Sequence, residues 1–135
     1  MKIQNVKNLH YDLRITLERL EWEGYTIVIT SAHRELDEHL QIYRDIAKRK
    51  GVEFNINDVP LKSRHLPTHK TNLLRAVDFK AYRKSDGRLE DPEKIKWWIL
   101  SIQKQLNEGV FYGIGTGSTF THLDIDRDKN AFWGY

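Results

Sequence analysis

Two stretches of the chain hold side chains that commonly bind metal ions. The first, residues 63–78, contains Ser-Arg-His, which ends at His65, and Ala-Val-Asp, which ends at Asp78. The second, Thr-His-Leu-Asp at residues 121–124, contains His122. Together they supply two imidazoles and one carboxylate. Three protein ligands with an open fourth position are typical of catalytic rather than structural zinc. Because the chain has no cysteine, thiolate ligands and thiolate catalysis are excluded.

Each of these residues also has a simpler interpretation. A histidine in a loop, as His65 would be, is usually a solvated polar group, and Asp78 could bond to neighbouring backbone. Asp78 nevertheless lies between Val77 and Phe79, and an inward carboxylate without a cation costs several kcal/mol. His122 lies in a similarly apolar stretch. These two residues are therefore the stronger candidates.

Hydrophobic spacing predicts three helices. Leucines recur at helical intervals over 9–22, and a second apolar face runs over 35–50 and is followed by Gly51. Asp91 as N-cap and Pro92 as first residue begin a third helix. Its predicted core face consists of Ile95, Trp98, Ile99, Ile102 and Leu106.

Alternating or β-branched runs predict four strands, and residues 52–72 between the first two look like a long loop. The strands are 25–30, 74–82, 110–114 and 119–126. The last two are predicted to form a hairpin. We therefore expect an α+β fold in which helices pack on an antiparallel sheet, as a single domain over residues 1–135.

Composition narrows the possible partners. The net charge is +3 and the basic residues are scattered, so the pattern gives little support to a nucleic-acid site, although the pI of about 9.1 keeps a small nucleic-acid binder as a third hypothesis. No apolar run could span a bilayer, and the N-terminal residues lack the apolar segment of a signal peptide. The sequence thus predicts a cytoplasmically made protein without a membrane partner.

The pattern resembles a known family, the zinc D-alanyl-D-alanine carboxypeptidases and L-alanyl-D-glutamate endopeptidases, which share their fold with the Hedgehog signalling domain. The family pattern S-x-H-x-x-G-x-A-x-D is similar to Ser63, His65, Ala76 and Asp78. Its strand-end S-x-x-R is similar to Ser31 and Arg34. Its later G-x-G, F-x-H-x-D and tryptophan are similar to Gly113, Gly115, Phe120, His122, Asp124 and Trp133.

The chain departs from the family pattern between the first histidine and the aspartate. LPTHKTNLLR is inserted there and the motif glycine is missing, although some phage lysis enzymes of this kind look similar. The insertion makes His69 a rival ligand to His65, and the S-x-H-L match favours His65.

The resemblance implies a Zn²⁺ cofactor held by His65, Asp78 and His122. It also implies that Arg34 binds substrate together with Ser31 and Ser63; the alternative for Arg34 is a surface ion pair with a neighbour such as Asp37. Several branches place an acidic catalytic base shortly before the last histidine, where this chain has none. Asp124 is then either the base or a carboxylate that orients a ligand imidazole.

The function implied is hydrolysis of peptide bonds in peptidoglycan stem peptides, by an enzyme of endolysin or D,D-carboxypeptidase type. Such a protein is expected to be a monomer that reaches the cell wall through a separate pore. The alternative is a non-catalytic, zinc-containing, cell-wall-binding module of the same fold.

Overall fold

The computed structural model describes residues 1–32, 36–59 and 73–135, and of residues 36–39 it describes the backbone alone. Across these residues the chain forms three α-helices and a five-stranded mixed sheet, so the predicted α+β class is confirmed. The helices are α1 (Tyr11–Trp22), α2 (Leu36–Lys50) and α3 (Pro92–Leu106). The strands are β1 (Tyr25–Ser31), β2 (Ala76–Arg83), β3 (Gly113–Thr116), β4 (Thr121–Asp124) and β5 (Ala131–Gly134).

Local signals explain where α1 and α3 begin. The His10 side chain accepts a hydrogen bond from the Asp12 N–H, so α1 begins two residues later than the leucine spacing predicts. Asp91 accepts from the Glu93 N–H and Pro92 is the first residue of α3, as predicted. Gly51 follows α2 with a positive φ of 69°, which favours glycine.

The core face predicted for α3 is correct except at its end. Ile95, Ile99 and Ile102 are fully buried, and Trp98 packs against the core. Leu106 is the last residue of the helix and is exposed, so its prediction was wrong. The helical period continues to Leu106, but at this last residue of the helix the side chain is exposed to solvent.

The sheet has the strand order β1-β2-β4-β3-β5. The four predicted strands are present with ends shifted by up to three residues, and they pair antiparallel, including the predicted β3–β4 hairpin. The fifth strand, β5, was not predicted. It pairs parallel to β3, so the prediction of a purely antiparallel sheet was wrong.

One face of the sheet packs against α1 and α3 and carries the core. The strands contribute fully buried Val77 and Phe79 from β2, Ile114 from β3 and Leu123 from β4. Because side chains alternate along a strand, the residues between these point to the opposite face. None of the helices in the described part of the chain combines the length and apolar character needed to cross a bilayer.

Candidate metal centre

A single row of paired residues crosses all five strands on the face opposite the core. In spatial order the row consists of Ser31, Asp78, His122, Gly115 and Trp133. Each member is the direct partner of the next in the strand register, so neighbouring members lie side by side on strands about 4.7–4.9 Å apart. The sheet thus brings together residues that are more than a hundred positions apart in the chain.

Asp78 and His122 are in direct contact at the centre of this row. Asp78 Oδ1 lies 2.8 Å from His122 Nδ1, and both side chains keep a small exposed fraction. Two donor atoms bound to one tetrahedral zinc ion lie about 3.3 Å apart, given zinc–ligand distances of about 2.0–2.1 Å. The separation of Asp78 Oδ1 and His122 Nδ1 is therefore about half an ångström shorter than a shared ion requires. A small movement of either side chain would give the required separation.

Asp124 holds the other side of the His122 ring. Its Oδ2 lies 2.7 Å from His122 Nε2, and its side chain is only 3% exposed. Arg127 donates from Nε to Oδ1 and from a terminal nitrogen to Oδ2, the latter at 2.8 Å. Burial raises the pKa of Asp124, but the bonds from Arg127 and His122 outweigh burial and lower the pKa to about 2.

The His122 imidazole thus lies between two carboxylates. A neutral imidazole has one N–H and can donate to one of them only. The second contact needs either another proton, on the ring or on the carboxyl group, or a metal cation between the two groups. Burial lowers the pKa of His122, while the bonds with Asp124 and Asp78 raise it, and the net shift is upward. A carboxylate that orients a metal-binding histidine is a frequent arrangement in metal sites.

Two glycines of β3 leave room for this cluster. Gly113 pairs with Asp124, and a Cβ there would overlap the Arg127 guanidinium and the Asp124 carboxylate. At Gly115 a Cβ would lie 2.7 Å from Cε2 of Trp133. The spacing of the two glycines therefore follows from the strand period, since both must open the same face.

Aromatic rings border the cluster on the β5 side. The Trp133 ring centroid lies 5.3 Å from that of His122, and the Tyr135 ring packs against Phe120 at 5.1 Å and against Trp133 at 6.4 Å. Trp133 thus packs beside the imidazole of His122.

The described residues contain part of the predicted site. Asp78 and His122 meet, Asp124 adjoins them, and Ser31 lies opposite Asp78. His65, His69, Ser63 and Arg34 lie outside the described residues. Within the part of the chain that is described, no group of three His, Cys, Asp or Glu residues is arranged to hold a metal ion.

Sequence reasoning missed Arg127. The available signal was an arginine three residues after an aspartate that sits in an apolar strand, because such a carboxylate needs a nearby donor. All the C-terminal residues that carry the family resemblance lie on or beside the row: Gly113, Gly115, Phe120, His122, Asp124 and Trp133. No family model, no curated protein and no solved structure matches this chain.

Proposed function

We propose that this chain is a zinc-dependent peptidase that hydrolyses peptide bonds in peptidoglycan stem peptides, with a Hedgehog/DD-peptidase-like fold. The observation that supports it most is the contact of Asp78 with His122 Nδ1 while Asp124 holds Nε2. This places a carboxylate and an oriented imidazole side by side on one sheet face, and leaves one further ligand to be supplied.

Asp78 and His122 would hold the ion, and His65 would be the third ligand. When bound, Zn²⁺ supplies a Lewis acid and lowers the pKa of a bound water to about 7. With the ion bound, Asp124 would accept a hydrogen bond from His122 Nε2, so that Nδ1 would present its lone pair to the ion beside Asp78. Trp133 would pack beside the ligand imidazole.

Substrate binding is proposed for Arg34, Ser31 and Ser63. Ser31 is half-buried and pairs with Asp78 across the β1–β2 register, which puts it beside the proposed ion. Arg34 follows three residues later and would hold a substrate carboxylate or carbonyl oxygen through its planar set of donors.

Of the two roles for Asp124, the contacts favour the orienting role. Both carboxylate oxygens are occupied by Arg127 and His122, and the residue is 2% exposed. A general base works best when its pKa lies near the working pH, and the pKa of Asp124 is about 2. The proton acceptor in the proposed hydrolysis is then another group.

The same observation, that both oxygens of Asp124 are already bonded, favours a second candidate function. A non-catalytic, zinc-containing, cell-wall-binding module of the same fold needs the oriented ligands and needs no base. The two candidates share the metal site and differ only in turnover.

The metal site is tested by metal analysis of the purified chain and of four variants: His65→Ala, His69→Ala, Asp78→Ala and His122→Ala. We expect about one zinc per chain in the wild type and in His69→Ala, and loss of zinc in the other three. Zinc retained by Asp78→Ala and His122→Ala variants that are folded would overturn the proposal. Loss of zinc in His69→Ala but not in His65→Ala would instead exchange those two ligands.

Activity is tested on purified peptidoglycan by mass spectrometry of the released peptides. We expect new amine and carboxyl ends from stem-peptide cleavage, abolished by a chelator and restored by added zinc. Sedimentation of the zinc-loaded protein with peptidoglycan, without any released peptide, would support the binding module instead. If the protein neither binds nor cleaves peptidoglycan, both candidates are excluded.

A further inference from the structure

We propose that Arg127 is a positioning residue of this site, which fixes Asp124 and Trp133 and through them the orientation of the His122 imidazole. The inference deepens the proposed function and rests on it for the identity of the ion. For the geometry it rests on four contacts besides the bond between Asp124 and His122.

The first two contacts form a fork on Asp124. The Nε and a terminal nitrogen of Arg127 donate to the two different carboxylate oxygens. Because the same carboxylate also meets His122 Nε2, it cannot rotate without breaking bonds on both sides. A planar guanidinium fits a carboxylate in this way, and an ammonium group does not.

The other two contacts run through Trp133. Arg127 Cζ lies 5.3 Å from the Trp133 ring centroid, within the range of a cation–π contact, and the same indole packs beside His122. His122, Asp124, Arg127 and Trp133 therefore form a closed loop of contacts. The imidazole is held at its Nε2 edge by Asp124 and beside its ring by Trp133, and Arg127 joins the two.

The backbone is shaped to admit this fork. Gly113 is the register partner of Asp124, and its missing Cβ is the space that the guanidinium and the carboxylate occupy. Without Arg127, Asp124 would be a buried carboxylate with one fewer cation beside it, a costly arrangement that favours rearrangement. His122 Nδ1 would then be less firmly directed at Asp78.

The test compares zinc affinity, measured by competition with a chromophoric chelator, in the full chain and in three variants. Arg127→Gln removes the charge and the fork, and Arg127→Lys keeps the charge alone. Arg83→Gln is the matched control, because Arg83 and Asp86 form the same three-residue-spaced fork at the far end of β2. We expect Arg127→Gln to weaken zinc binding by about 10–100-fold, Arg127→Lys to lie in between and Arg83→Gln to match the wild type.

A second measurement needs no metal. Nuclear Overhauser contacts between the His122 and Trp133 rings in the metal-free protein report whether the imidazole keeps its place. We expect these contacts to be weakened in Arg127→Gln and retained in Arg83→Gln.

The outcomes separate the two proposals. If Arg127→Gln is folded, binds zinc within about threefold of the wild type and keeps the ring contacts, the positioning role is overturned. If the wild type binds no zinc, the proposed function fails, and the ring contacts alone decide the positioning role. If Arg127→Gln does not fold, Arg127→Lys decides it, since wild-type affinity in that variant would show that the fork is dispensable.

Discussion

Gly115 lies directly opposite His122 on the neighbouring strand. The Trp133 indole fills the space that a side chain at Gly115 would occupy. Trp133 is in turn the register partner of Gly115 on β5. The indole can therefore fold back over β3 and reach the imidazole ring. A glycine on one strand thus permits an aromatic contact between the strands on either side of it.

Gly115→Ala is expected to destabilise the fold by about 1–3 kcal/mol, because the new methyl group overlaps the Trp133 indole and the Tyr135 ring and forces both to move. Urea unfolding followed by far-ultraviolet circular dichroism measures the loss. Gly109→Ala is the matched control, since a Cβ there meets nothing within 4 Å. In a Trp133→Ala background the cost of Gly115→Ala should fall. An equal cost in both backgrounds would show that the indole is not what the methyl group meets.

Much of this site could be predicted from the sequence, because Asp78 and His122 are polar residues inside apolar strand patterns. Their meeting could not be derived in the same way. It depends on the β2–β4 register between residues that are 44 positions apart, and a one-residue slip would turn one of them to the core face. Arg127 was missed because its role depends on the position of Asp124 rather than on any motif of its own.

The helices were predictable because each carries its own period and cap, whereas β5 carries no such signal. Its four residues alternate between half-buried and exposed positions, and none of them is in the core. Asn130, just before the strand, is hydrogen-bonded to Gln103 of α3 and to Tyr112, which precedes β3, and these bonds hold the chain beside β3. These contacts are visible only in three dimensions.

Asn130→Ala should therefore loosen β5 in particular. Asn130 Oδ1 accepts from the Tyr112 N–H at 2.9 Å and from Gln103 Nε2 at 2.8 Å, and its Nδ2 donates to Gln103 Oε1. Removing it leaves buried polar groups without their partner, at a cost of about 1–3 kcal/mol. Hydrogen exchange should show that Asn130→Ala speeds the exchange of the β5 amides, relative to wild type, more than that of the β2 amides. Asn57→Ala, at an exposed asparagine, is the control, and equal protection of β5 in both variants would contradict the argument.

Two residues of the predicted α3 core face should respond differently to truncation. Ile102 is 1% exposed, so Ile102→Ala is expected to cost about 2–5 kcal/mol through lost burial and a cavity. Leu106 is 49% exposed at the helix end, and Leu106→Ala should change stability by less than about 1 kcal/mol. Thermal or urea unfolding of the two variants measures both values. Similar losses would show that the apolar period, rather than the observed burial, describes this helix.

The hydroxyl of Tyr25 donates to Glu90 Oε2 at 2.9 Å, within a buried pair between β1 and the residues just before α3. Burial, together with this bond to a carboxylate, raises the pKa of Tyr25 to about 12. A pKa that is higher in the folded chain than in the unfolded chain contributes stability that is fully present below the unfolded value. That contribution is lost as the pH rises through the folded value.

Tyr25→Phe should cost about 1–3 kcal/mol near neutral pH, because the Glu90 carboxylate loses a buried donor. The difference between wild type and variant should shrink between about pH 10 and pH 12, where the wild type loses the tyrosine's contribution. Urea unfolding at several pH values in this window measures the difference. Tyr11→Phe, at an exposed tyrosine, corrects for general alkaline effects on the rest of the chain. A difference between Tyr25→Phe and wild type that stays constant across the window would show that the Tyr25 hydroxyl keeps an ordinary pKa in the folded protein.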